Sequence, residues 1–231
     1  MKTGFYEARL APIISDLTQV VVSLGLISVS LGYVNAVITD NSLLYSGAFW
    51  LRLVLLLSTV SFTCYSLLGY VADMEAGTDT GWAASCRSPS RIIILFLIDL
   101  TMLGEQGWMY GVLLVADISD LGEAETLQPF SFQTVHFVLL ALLAAAWHGT
   151  TFIWHLVAGS RIQGQLSHLL FLLAFGTLAL LAAWWQPADL FSQWLWALIY
   201  TAVVLLLFFT RGRKLVGQVL TRYRQGEAES A

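Results

Sequence analysis

Residues 133–158 read QTVHFVLLALLAAAWHGTTFIWHLVA, without one Asp, Glu, Lys or Arg. A hydrocarbon core about 30 Å thick is crossed by about 20 apolar helical residues at 1.5 Å each, so this stretch alone is long enough to span a bilayer. The same reading finds five further runs, at roughly 17–39, 48–71, 92–116, 165–185 and 191–210. Runs such as Ala202 to Phe209 do not alternate, whereas a β-barrel needs alternating segments of about 10 residues. All four prolines, Pro12, Pro89, Pro129 and Pro187, fall between the runs, where a lost backbone hydrogen bond is cheapest.

Composition agrees with this reading. Of 231 residues, 58% are hydrophobic and 11% charged, against about 25% charged in a soluble domain. That shortage of charge excludes a soluble globular fold, and the high hydrophobicity excludes disorder. A formal net charge of -4 supplies no basic footprint for nucleic acid. The expected fold is therefore all-α: a polytopic membrane helix bundle of six transmembrane helices, forming a single integral domain over 1–231 that ends in a basic tail at 211–231.

Basic residues flanking spans stay in the cytoplasm. Lys2, Arg9, Arg87, Arg91, Arg161, Arg211, Arg213, Lys214, Arg222 and Arg224 all fall on one side of a six-span path, and Arg52 alone falls opposite. This predicts an inner (plasma) membrane protein with both termini cytoplasmic and an uncleaved first span. Arg52, beside Trp50, reads as a snorkelling anchor. Segment 3–15 reads as a short stretch lying in the inner interface, and the tail as resting on anionic lipid. Cys64 lies in span two and Cys86 in a cytoplasmic loop, so no disulfide and no CxxC metal site is expected.

Phosphate-binding GxxxxGK[ST], dinucleotide GxGxxG, zinc-protease HExxH, nucleophile-elbow GxSxG and paired CxxC are all absent. The reading leans away from an enzyme, and any chemistry is placed between helices. An ionisable group at bilayer depth costs about 2.5–3.5 kcal/mol to insert, which makes each one a functional candidate. At 1.5 Å per residue, Asp99 lies roughly 12 Å and Glu105 roughly 21 Å from the cytoplasmic edge of span three, with His148 roughly 16 Å and His155 roughly 6 Å along span four. If spans three and four are neighbours, Asp99, Glu105 and His148 share one layer.

All four histidines, His136, His148, His155 and His168, lie on spans four and five. His148 and His155 are seven residues apart and share a helix face, while His168 enters span five at the depth where His155 leaves span four. Three function classes follow. The first is translocation of protons, metal ions or a small solute through Asp99, Glu105, His148 and His155. The second is a membrane redox subunit with quinone as partner, in which His155 and His168, with His148 and His136, ligate a b-type haem or a transition metal. The third is a non-catalytic subunit that docks a homo-oligomer or membrane-complex partner. Gly25, Ser28 and Gly32 on span one form a small-residue stripe that suits helix packing.

Overall fold

The structure is a computed structural model; it describes residues 6–80, 88–114, 133–159 and 162–212, together with 216, 217 and 221. Six helices run through it: α1 (Ala11–Thr39), α2 (Gly47–Thr80), α3 (Pro89–Leu113), α4 (Thr134–Ala158), α5 (Ile162–Trp185) and α6 (Leu190–Leu207). All six are long and apolar enough to cross a membrane. Among the described residues there is no strand. The spans inferred from hydropathy recur with small shifts at their ends. The exception is α2, which continues to Thr80, well past its apolar run.

The prolines show how these ends are set. Pro12 and Pro89 are not in connections; each sits in the first turn of a helix. There the missing N–H is one that no carbonyl would have accepted, and the fixed φ suits the helix. Pro187 does lie between α5 and α6, and Pro129 is outside the described residues. At the start of α4, Gln133 donates its backbone N–H to His136 Nδ1 at 2.9 Å, half of a reciprocal cap. The same helix ends at Gly159, which takes φ 75° and donates its N–H to the His155 carbonyl at 3.0 Å. Only glycine adopts that left-handed backbone freely. Asp189 caps α6 by accepting from Ser192 N–H at 3.0 Å.

In the bundle α1 packs on α3, α3 on α4, α4 on α5, α5 on α6, α6 on α2 and α2 on α1, closing a ring. Spans three and four are thus neighbours. Buried alanines Ala141, Ala144 and Ala145 let the flanking helices come close to α4. Across the interior α2 meets α4 through rings: Phe62 and Tyr65 stand edge-on to Trp147 at 5.2 and 6.4 Å, and Tyr70 meets Trp154 at 6.5 Å. Each such pair adds about 0.5–1.5 kcal/mol beyond its buried area.

One expectation from the sequence is corrected. Arg52 does not snorkel: its side chain is 1% exposed and acts electrostatically on the Tyr33 hydroxyl. Residues 6–10 form a π-helical turn that runs straight into α1, and Tyr6 is buried in the bundle. In the stripe on α1, Gly25 packs within the bundle. A Cβ there would meet the Tyr110 ring at 2.5 Å, whereas a Cβ on Gly32 would meet nothing within 4 Å among the described residues and Ser28 is exposed. Most of the tail 211–231, with Cys86, falls outside the described residues.

Candidate functional site

On α3 the inward face repeats every three to four residues: Leu95, Asp99, Met102, Leu103, Gln106, Met109, Tyr110 and Leu113 are buried. Asp99 and Gln106 are seven residues apart, so this face carries both polar groups into the bundle. Asp99 is completely buried. The Tyr6 hydroxyl donates to its Oδ2, and Tyr70 donates to the same oxygen at 3.4 Å. The Trp154 indole N–H reaches the Tyr6 oxygen at 3.4 Å. Three elements, the N-terminal turn, α2 and α4, thus converge on one carboxylate. Its second oxygen, Oδ1, is buried and has no hydrogen-bond partner among the described residues.

Two helical turns further along, Gln106 donates its amide to Ser66 Oγ, while its own Oε1 is also buried with no partner among the described residues. Asp99 and Gln106 line a cavity of about 30 Å³ with Thr18, Ser66, Tyr70 and Trp147. A second cavity of about 20 Å³ lies next to it, bounded by Ser66, Tyr70, Trp147, Thr151, Trp154 and His168. The two share Ser66, Tyr70, Met102 and Trp147 as walls. A site needs at least about 10–15 Å³ and two or more polar partners to hold a water, so both are large enough for one or two.

Beyond the second cavity lie the histidines. His148, His155 and His168 are all buried. His148 and His168 are joined through their Nδ1 atoms at 3.0 Å, which makes one ring the donor and the other the acceptor. His155 faces His168 with ring centroids 5.1 Å apart. Phe171 and Phe175 stack on His148 at 5.4 and 5.6 Å, and Trp147 lies 5.9 Å from His168. The sequence brings His155 and His168 to one depth, and their rings do face each other; a direct hydrogen bond joins His148 to His168.

The layer of Asp99, Glu105 and His148 does not form as a contact set. Glu105 turns to the side of α3 that meets α4, accepts a hydrogen bond from Thr150 Oγ1 at 2.8 Å and is half-buried. It lines neither small cavity. His136 caps the far end of α4, roughly 18 Å along the axis from His148 at 1.5 Å per residue. It sits beside Trp108 in a separate groove of about 390 Å³. Sequence reading missed Tyr6, Tyr70, Ser66 and Gln106. The α3 periodicity that carries Asp99 inward also carries Gln106, and that signal was available.

Among the described residues, no three His, Cys, Asp or Glu side chains converge as a metal site requires. Trp147, Phe171 and Phe175 pack around the His148–His168 pair, and the His155 and His168 ring centroids, 5.1 Å apart, stand too close for two imidazoles ligating opposite faces of one porphyrin. Comparison with protein-family models, curated proteins and solved structures found no match.

Proposed function

We propose that this protein is an inner-membrane translocator of protons or small cations, with both termini in the cytoplasm. The observation that supports this reading is the run of titratable and hydroxyl groups through the bundle interior. It passes from Asp99 with Tyr6 and Tyr70, across two adjoining water-sized cavities, to His168 and His148. Buried polar groups are costly unless paired, so a bundle that holds Asp99 and three histidines out of lipid and out of bulk water carries them for a purpose beyond packing.

Each group has a role that its contacts suggest. Asp99 exchanges a proton with the cytoplasmic side, while Tyr6 and Tyr70 hold its Oδ2 and leave Oδ1 without a partner among the described residues. Waters in the two cavities link Asp99 to the imidazole of His168. His168 and His148 share one hydrogen bond, so a proton entering at one ring leaves by the far nitrogen of the other as the shared proton shifts. Phe62, Phe171 and Phe175 close the path on the other side of His148, and movement of these rings is the gate. Glu105, bonded to Thr150 at the α3–α4 seam, lies off this path.

Reconstitution into liposomes with a trapped pH-sensitive dye tests the reading. Under a potassium-diffusion potential, vesicles with the protein should change internal pH faster than empty vesicles, in proportion to protein density. Equal rates in the two would refute translocation of protons.

A further inference from the structure

The turn at residues 6–10 is hydrogen-bonded into the bundle through one side chain. Its depth follows from the pairing of α1 with α3, which run in the same direction: a Cβ on Gly107 would meet Val21 at 3.4 Å, and Gly25 lies against Tyr110. Carried back along both helices, that register sets Asp99 level with Ile14, and the two line one cavity. Tyr6 precedes Ile14 by about two helical turns, nearer the end of the bundle at which α1 and α3 begin. From there it reaches inward. Its side chain is 1% exposed, donates to Asp99 Oδ2, lies 3.3 Å from the Tyr70 hydroxyl and accepts from Trp154 Nε1–H at 3.4 Å. Among the described residues, the hydrogen bonds that tie this turn to other helices all run through that hydroxyl. Arg9, on the same turn, is exposed. Asp99 is completely buried, so the Tyr6 ring lies between the carboxyl and the near end of the bundle.

The backbone behind Tyr6 is built to bend. Pro12 has no N–H, so the α-helical bond back to the Ala8 carbonyl cannot form. The chain takes a wider π turn over Tyr6–Leu10 and becomes α-helical only from Ala11. Single π turns recur at functional sites, and hinges are residues at element ends that absorb a change in φ and ψ. Lifting the turn exchanges the bonds of Tyr6 for bonds to water, a trade with a small net cost. We propose that Tyr6 is a latch on the cytoplasmic side of the path: its ring seals Asp99 from water, its hydroxyl holds the N-terminal turn shut, and the turn swings about Pro12 to admit a proton. Its role rests on the translocation reading; the seal itself is measured without flux.

The test is labelling of Asp99 in sealed vesicles by a membrane-impermeant carbodiimide bearing a quaternary ammonium group, with an added amine. The reagent adds to a carboxyl that meets water, the amine displaces it as a urea, and mass spectrometry finds the resulting amide. Wild-type Asp99 should label slowly from either face. Tyr6→Phe, which keeps the ring and loses the latch, should label at least threefold faster from the face that bears the N-terminus. Tyr6→Ala, which loses both, should label at least tenfold faster from that face, and neither variant should change labelling from the other. Tyr70→Phe removes a bond to the same oxygen from a residue fixed within α2, and should label at the wild-type rate. Circular dichroism and gel filtration check that each variant is folded, and Tyr6→Phe decides the matter if Tyr6→Ala does not fold. A folded Tyr6 variant at the wild-type rate, equal acceleration from both faces, or the same acceleration in Tyr70→Phe overturns the latch. Proton flux together with wild-type labelling in the Tyr6 variants overturns the latch and leaves translocation standing. Faster labelling in those variants with no flux in any of the proteins leaves the seal and refutes translocation.

Discussion

Gly25 and Gly32 lie two turns apart on one face of α1, yet the structure gives them opposite sensitivities. A Cβ on Gly25 would lie 2.5, 2.7 and 2.8 Å from the Cγ, Cδ2 and Cβ of Tyr110. The Tyr110 Cβ, at 2.8 Å, is fixed by the backbone, so a rotamer change cannot relieve the clash. Tyr110 is itself buried, and its hydroxyl is hydrogen-bonded to Thr63 Oγ1 at 2.9 Å. Gly25→Ala therefore forces α1 away from α3. Overpacking of this kind costs about 1–3 kcal/mol, and straining the Tyr110 to Thr63 bond adds about 1 kcal/mol, for a loss of about 2–4 kcal/mol. A Cβ on Gly32 would meet nothing within 4 Å among the described residues, and Ala stabilises a helix interior by about 0.5–1 kcal/mol over Gly. Thermal unfolding of the two variants in one detergent, followed by tryptophan fluorescence, should separate them by on the order of 10 °C. If Gly25→Ala is as stable as Gly32→Ala, the packing of α1 on α3 described above is wrong.

His136→Ala should lose the cap on α4 and about 0.5–2 kcal/mol of stability, with proton flux per folded molecule unchanged; a loss of flux in folded protein would assign His136 a role that its place at the helix start does not suggest. The Asp189 carboxyl is held below its ordinary value of 3.8 by the Ser192 backbone N–H and hydroxyl. Its contribution is therefore present above that value and lost as pH falls through the lowered one, so wild type should be more stable than Asp189→Asn at neutral pH, and the difference should shrink as pH falls through this window. The purified protein, oxidised and then reduced, should show no Soret band, because the His155 and His168 rings stand too close to ligate opposite faces of one porphyrin; a band that shifts on reduction would restore the haem-binding reading with His155 and His168 as ligands.

Hydropathy made the spans legible because crossing lipid is a demand on each segment alone. Which segments touch is a demand on pairs of surfaces, and much less of it can be read along the chain. The adjacency of α3 and α4 was therefore an assumption in the sequence and is a finding in the structure. Depth along a helix put Asp99, Glu105 and His148 in one layer, but azimuth decides contact: Glu105 is one residue, about 100°, away from the inward face that carries Gln106. Arg52 misled because a basic residue near a span end usually reaches for water, and the bundle gave it an interior place instead. Tyr6 was unreadable because a residue ahead of a span carries no periodic signal, yet it closes over Asp99 from the N-terminal turn. Pro12 and Pro89 were read as marks of connections when the first turn of a helix suits proline equally well.

The central claim is that ions move along the cavities beside Asp99 and not along the α3–α4 seam that holds Glu105. The most direct test compares Asp99→Asn with Glu105→Gln at equal density in the same dye-loaded vesicles under an imposed potential. Asp99→Asn should fall to the rate of empty vesicles while Glu105→Gln keeps the wild-type rate. Full flux in Asp99→Asn with flux lost in Glu105→Gln would contradict it and move the path to the seam.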